Sequence, residues 1–520
     1  MVRTIRAPTG IRRAQINVAC GREAFRPARR YPIGRCPDDT EQRGEEQTTE
    51  HEPIVTRVPA PVNIGTPTPR HGYDRRCNQE MPMRTPLKPL ALVVICLATL
   101  AWPALSGEPL AAAASTARPE DVGLSTERLK RVGELMQRHI AAKTFPGAVT
   151  LIARNGRIAH FETHGLMDLD TKKPMQKDAI FRIMSMTKPV VGVATLMLVE
   201  EGKVRLTDPL SKFIPELQGL SVTVLNSDGR IAPAPSGSVA APMPTRTVPP
   251  DREVTVRDLL THTSGVMSGG MSASQTNDMM PKAGETVAQV MPRLKKAPLD
   301  FQPGTRWAYS PQFGFDLLVR VVEVASAMPF DQFARQRIFE PLGMKDTSFY
   351  PSAGDPRIAT LYEQANGALR KAANPSFMNG TYISGGGGLY STAEDYLQFA
   401  LMLLNRGQLD GQRLLSTKTV DLMATVFAPD TLPGRLSGEG FGLSVRVVDN
   451  PAPRNTYLSK GSFGWSGAFN THFFIDPAER VVGLFMTQIV ALASRGEIRD
   501  DFETAVMQSI VGSGNAAGTN

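Results

Sequence analysis

Residues 180–217 read IFRIMSMTKPVVGVATLMLVEEGKVRLTDPLSKFIPEL. From Met186 to Glu201 the run has helix length and is mostly apolar. It stops at Gly202, the residue type that closes helices in a left-handed conformation. Pro189 falls early, where a missing N–H costs little. At the front of this run stand Ser185, Met186, Thr187 and Lys188. A spacing of three puts the hydroxyl and the amine on one helical face, with Cβ atoms about 5–6 Å apart. The helix start also leaves backbone N–H groups aimed outward, where an oxyanion can be held. Alone, S-x-x-K is weak, and a capping serine beside a solvated lysine explains it equally well.

Outward from this helix the chain alternates strand and helix signals. Residues 147–164 are β-branched in places, with Asn155-Gly156 as a hairpin turn. Asp316 to Ser326 and Tyr396 to Leu404 are apolar at helical spacing. Phe441 to Val448, Ala468 to Ile475 and Val481 to Gln488 read as strands, and Glu497 to Val511 as an amphipathic helix. The Pro- and Ser-rich residues 232–250 read as a surface loop. Strands at both ends with helices between them predict a sheet built from the two ends of the body, with a helical region, about 216–380, inserted.

Charge and cysteine are unevenly spread. The formal net charge is +8, from 58 basic and 50 acidic residues. Residues 1–88 carry 16 basic and 10 acidic residues, leaving 42 against 40 for the remainder. A body so near neutrality has no basic footprint, which argues against nucleic-acid binding. All four cysteines (20, 36, 77 and 96) lie in the first 96 residues. The body therefore has no disulfide, thiolate ligand or catalytic thiol. His51-Glu52 lacks the second histidine of H-E-x-x-H, so no metal and no cofactor is expected.

Leu90 to Trp102 is a largely apolar run of thirteen residues behind Arg84 and Lys88. It is too short for a bilayer span of about 20 residues. It has the length of a secretory apolar region, and Ala104-Leu105-Ser106 supplies a small-x-small cleavage site. Residues 81–106 are thus expected to be a signal peptide, with a start at Met81 or Met83. Residues 1–80 would be a disordered tail or a mis-called extension, and residues 107–515 an exported domain without stable membrane insertion.

The 180–217 segment closely resembles the nucleophile region of serine β-lactamase-like proteins, above all class C β-lactamases and family VIII carboxylesterases, with penicillin-binding proteins in the same superfamily. The likeness continues in VRDLLTHTSG (256–265), PGTRWAY (303–309), FEPLGMKDTSF (339–349) and residues 385–395, and spans about 119–512. It implies a class C β-lactamase-like α/β (α+β) fold, in which an antiparallel sheet flanked by helices stands beside an all-helical region. It further implies that Ser185 is the nucleophile, Lys188 its partner one turn on, and Tyr309 the second-motif tyrosine that shuttles a proton. Trp465-Ser466-Gly467 takes the place of the third motif, and the Ala468 N–H completes an oxyanion hole with that of Ser185. Neither a free phenol nor a free amine is a base at pH 7. About 4 Å apart they interact by roughly 4 kcal/mol at an effective dielectric near 20, so such a pair titrates as one unit and either member can be the base.

Two departures bear on substrate. The lysine of K-T-G is replaced by Trp465, and the second motif reads Tyr309-Ser310-Pro311 where lactamases carry Asn third. Both remove polar recognition and leave an apolar rim, which favours short-chain neutral esters over anionic β-lactams. Lys460 is the nearest replacement charge. The expected function is therefore a serine carboxylesterase acting through an acyl-enzyme on a small-molecule ester. The alternatives are a β-lactamase or D-amino-acid peptidase (DD-carboxypeptidase), and a non-catalytic penicillin-binding-like scaffold. His262, near Asp258, reads as a loop-ordering residue, since an S-x-x-K site needs no imidazole. No G-x-S-x-G elbow occurs, and Gly385 to Gly388 lacks the G-K-[ST] of a phosphate loop.

Overall fold

A computed structural model describes residues 114–225 and 245–512, apart from positions 271, 273, 274, 379, 491 and 493. The expected extension, signal peptide and most of the Pro-rich loop lie outside the described residues. Among them, no helix is long and apolar enough to cross a membrane.

The frame is an antiparallel sheet of eight strands: β1 (Gly147–Arg154), β2 (Arg157–Asp168), β3 (Lys173–Pro174), β4 (Glu439–Phe441), β5 (Arg446–Val448), β6 (Phe463–Ser466), β7 (Thr471–Asp476) and β8 (Val481–Met486). Their spatial order is β4-β5-β6-β7-β8-β1-β2-β3. β1 and β8 join the two ends of the body, from Val149 opposite Met486 to Arg154 opposite Val481. The β1–β2 hairpin closes through Asn155 (φ 53°) and Gly156 (φ 79°), the paired left-handed conformation that the Asn-Gly signal predicts.

Helices cover both faces. On one side α1 (Thr126–Ala141) buries Leu129, Val132, Leu135 and Met136, sharing a cluster with Phe485 of β8 and Phe502 of the last helix. Each such side chain contributes about 1.5–3 kcal/mol. On the other side α2 (Thr187–Glu200) is buried on every face from Thr187 to Leu198. It shares the larger core with α3 (Phe313–Ser326), α4 (Ala393–Leu404) and the sheet residues Leu151, Phe473 and Leu484. The last helix, α5 (Arg495–Met507), packs beside α1.

Several sequence expectations shift. α3 begins three residues before Asp316, where Ser310 Oγ accepts the Gly314 N–H at 3.0 Å. α4 begins at Ala393 because the Thr392 side chain caps it through the Asp395 N–H. The strand expected over 441–448 is a hairpin of β4 and β5, since Ser444 takes φ 70° and turns the chain. The strand expected over 468–475 starts only at Thr471, because 467–470 form the turn from β6, which periodicity missed. The region expected to be all-helical, about 216–380, also carries two antiparallel strand pairs, 222–225 with 245–248 and 362–365 with 368–371.

Candidate active site

Ser185 sits on the short 3-10 turn Met184–Met186 that runs straight into α2, one step ahead of the α-helix expected to hold it. Met184, buried, has φ 47°, a conformation costing a non-glycine residue about 1–3 kcal/mol. The surroundings over-determine it. Ile183 N–H donates to the Leu389 carbonyl (3.0 Å), and Thr471 Oγ1 donates to the Ile183 carbonyl (3.0 Å). Tyr396 OH, from α4, donates to the Met186 carbonyl at 2.8 Å.

The turn presents Ser185 Oγ to both expected partners. Lys188 Nζ lies 3.1 Å from it and Tyr309 OH 2.6 Å, while the Gly386 carbonyl stands 3.4 Å away. Lys188 is buried (1% exposed), and its Nζ also donates to the carbonyls of Pro311 (2.6 Å) and Gly386 (2.7 Å). Two of the three free directions on nitrogen thus face oxygens that can only accept. The third faces Ser185, either as an N–H or as the lone pair that takes the serine proton.

Ser185 and Tyr309 line a cleft of about 460 Å³ whose wall includes Trp307, Trp465, Ser466 and Ala468. Gly467 is required by packing. A Cβ there would stand 2.3 Å from the Ile183 carbonyl oxygen, so the third-motif turn presses directly on the backbone that carries Ser185. Trp465 packs against Tyr309 and Phe441 at ring distances of 5.5 and 5.1 Å.

The expected apolar rim needs correction, because Arg446 and Arg499 also line the cleft. Arg446 pairs with Glu503 (2.5 Å) and Glu439 (3.5 Å), and Arg499 with Asp500 (2.8 Å), so both charges have acidic partners. Folding brought them in from α5 and β5, far from any motif. Glu503 also lies 3.0 Å from His472 Nε2, and His472 Nδ1 meets Ser466 Oγ at 2.9 Å. Arg446 and His472 hold the Glu503 carboxyl well below its usual range despite burial. Lys460 lines no part of the cleft. It is 75% exposed and 3.5 Å from Asp449.

His262 orders a loop, as expected. Its Nδ1 accepts the Ser310 N–H at 3.2 Å, and its carbonyl accepts the Ala308 N–H at 3.1 Å, bracketing Tyr309. Burial, with Lys188 nearby, holds its pKa well below the ordinary value, so it is neutral. Asp258 is turned elsewhere, bonded to Arg252 and capping its own short helix. Sequence reasoning also missed Asp316, a fully buried carboxylate behind the site, considered below. Its signal was an acid among the apolar residues Phe313, Phe315, Leu317 and Leu318 at the start of the helix.

Residues 132–507 match the family described as Beta-lactamase. The chain belongs to that family. Esterase EstB of Burkholderia gladioli is 30% identical over 70% of this chain and 91% of its own length. Protein Rv1367c of Mycobacterium tuberculosis is 36% identical over 66% of this chain and 85% of its own. Among solved structures, EstCE1, described as a hydrolase with promiscuous acyltransferase activity, superposes with a TM-score of 0.60 at 25% identity. That alignment covers 74% of this chain and 99% of EstCE1. This Beta-lactamase-family member is a serine hydrolase with an antiparallel sheet flanked by helices.

Proposed function

We propose that the protein is an exported carboxylesterase that cleaves short-chain acyl esters through an acyl-enzyme on Ser185. One observation carries the reading: Ser185 Oγ is the common hydrogen-bond partner of Lys188 Nζ and Tyr309 OH on the wall of the cleft. Ser185 Oγ attacks the ester carbonyl carbon while its proton passes to the Lys188/Tyr309 pair. The N–H groups of Ser185 and Ala468 hold the oxyanion. Collapse breaks the acyl C–O bond, and the departing alkoxide takes the proton by way of Tyr309. Water then attacks the acyl-enzyme, giving the carboxylic acid and restoring Ser185 Oγ–H. Trp465 and Trp307 supply apolar walls for the acyl or alcohol chain. The esterase relative EstB supports this choice, and export rests on the 90–102 run alone.

Arg446 and Arg499 favour a second reading, a β-lactamase or D-amino-acid peptidase that binds a substrate carboxylate, but their acidic partners weigh against it. The test compares p-nitrophenyl acetate and butyrate with nitrocefin on protein begun near residue 107, with Ser185→Ala as control. Ester turnover lost in the variant supports the proposal, whereas efficient nitrocefin hydrolysis with negligible ester hydrolysis overturns it. Stoichiometric fluorophosphonate labelling, absent in Ser185→Ala, argues against a non-catalytic scaffold.

A further inference from the structure

A cluster of ligating side chains outside the cleft has no part in this chemistry. His160, Glu162 and His164 alternate along β2 and so project from one face of the sheet. Gly133 of α1 lies over them, where an added Cβ would come within 3.4 Å of Glu162 Oε2 and 3.6 Å of His164 Cε1. Each residue offers one ligand atom, and the three atoms lie within 4.8 Å of one another. His160 Nδ1 is 3.7 Å from Glu162 Oε1, and His164 Nε2 is 4.0 Å from Glu162 Oε2. Those gaps are too long for hydrogen bonds. They suit donors shared by one ion, since atoms about 2.1 Å from a common centre stand roughly 3.4–4 Å apart.

Thr150 Oγ1 on β1 lies 2.8 Å from His160 Nε2 and 2.9 Å from His164 Nε2. In the ligating arrangement its oxygen accepts from His160 Nε2–H, and its single proton turns away from His164 Nε2, leaving that nitrogen's lone pair for the ion. With His160 Nε2–H donating to Thr150, the Nδ1 lone pair of His160 faces the Glu162 carboxylate. Two acceptors then oppose each other with no proton between them, and a cation resolves the conflict. Thr150 becomes the outer partner that fixes the ring orientation of a metal-bound histidine.

We propose that His160, Glu162 and His164 form a binding site for a divalent ion of the zinc class, with solvent as the remaining ligand on the side where Glu162 is half-exposed. Two imidazoles and one carboxylate are a borderline donor set that suits zinc better than magnesium or calcium. The spacing H-x-E-x-H belongs to a strand, whereas H-E-x-x-H belongs to a helix.

The experiment strips full-length protein with chelator, adds zinc sulfate, and measures retained zinc and thermal midpoint with and without the metal. Thiols elsewhere in the full-length chain are potential zinc ligands, so the deciding quantity is the difference between wild type and Glu162→Gln, an exposed change that leaves the metal-free midpoint unaltered. The expected result is about one more retained ion per chain in wild type. It should come with a zinc-dependent rise in midpoint that Glu162→Gln and His164→Gln both lose, while ester hydrolysis is the same in all three. Equal zinc retention and equal midpoints in wild type and Glu162→Gln overturn the site.

Discussion

Asp316 Oδ1 accepts the Gly386 N–H at 3.0 Å, and the carbonyl of that same Gly386 accepts from Lys188 Nζ at 2.7 Å. The buried carboxylate also takes Ser384 Oγ (3.0 Å) and Tyr382 OH (2.7 Å). One side chain thus sets the loop whose backbone orients the amine beside Ser185. Asp316→Asn puts an N–H where one of these three donors now points, leaving a buried group unsatisfied at about 1–3 kcal/mol. The expected outcome is a lower urea midpoint and a kcat reduced about 10-fold or more with KM little changed. Unchanged kcat in a destabilised variant would show that the loop holds Lys188 without Asp316.

Tyr309 and Lys188 reach Ser185 Oγ from different elements, so their removal should have separable effects. Tyr309→Phe keeps the ring packed against Trp465 and removes only the hydroxyl. A loss of about 10²–10⁴ in kcat for p-nitrophenyl butyrate is expected, the usual span for a proton-transfer group, with stability nearly intact. Lys188→Met leaves the Pro311 and Gly386 carbonyls without their donor, and should cost both activity and stability. Steady-state kinetics beside a denaturant titration distinguishes the two.

Gly467→Ala probes the packing of the third motif on the nucleophile turn. The added carbon meets the Ile183 carbonyl oxygen at 2.3 Å and Thr471 Oγ1 at 2.2 Å, closer than real carbons come, and the Ile183 carbonyl is backbone. The turn must therefore shift away from Ser185. Ester kcat should fall about 100-fold or more, as for a lost oxyanion donor, while fluorophosphonate still labels the serine, slowly. Wild-type turnover would mean that Ala468 has no part in holding the oxyanion.

The sheet and the Ser185–Lys188 pair were legible because both rest on short-range patterns, a β-branched run and a one-turn spacing. Tyr309 was reachable only through resemblance, since 124 residues separate it from its partner. β6 escaped because FGWS offers no alternation, its Gly464 being dictated by the Phe473 carbonyl 2.2 Å from where a Cβ would sit. Arg446, Glu503 and His472 were invisible for another reason. Arg446 and His472 are polar residues in apolar strands and Glu503 is one of several charges on α5, and only folding brings the three together. The H-x-E-x-H triplet was missed because only the helical spacing H-E-x-x-H was sought, although residues 147–164 already read as strand.

Acid sensitivity follows from His262. Burial holds its folded-state pKa well below 6.5, so the unfolded chain takes up a proton that the folded chain refuses as pH falls through 6.5. Stability is then fully present above about pH 6.5 and declines below it, by up to about 1.4 kcal/mol per pH unit for one histidine. Asp395 works in the opposite sense, because burial raises its pKa to about 6 and the folded state gains a proton first. A difference measurement removes that offset. Urea midpoints of wild type and His262→Gln at pH 7.5 and pH 5.5 should show a smaller acid loss in the variant, by roughly the share of one proton. Its alkaline stability should still be lower, because the ring that receives the Ser310 N–H is gone. If the acid loss is the same in both, His262 already titrates normally in the folded chain and the loop it orders is open to water.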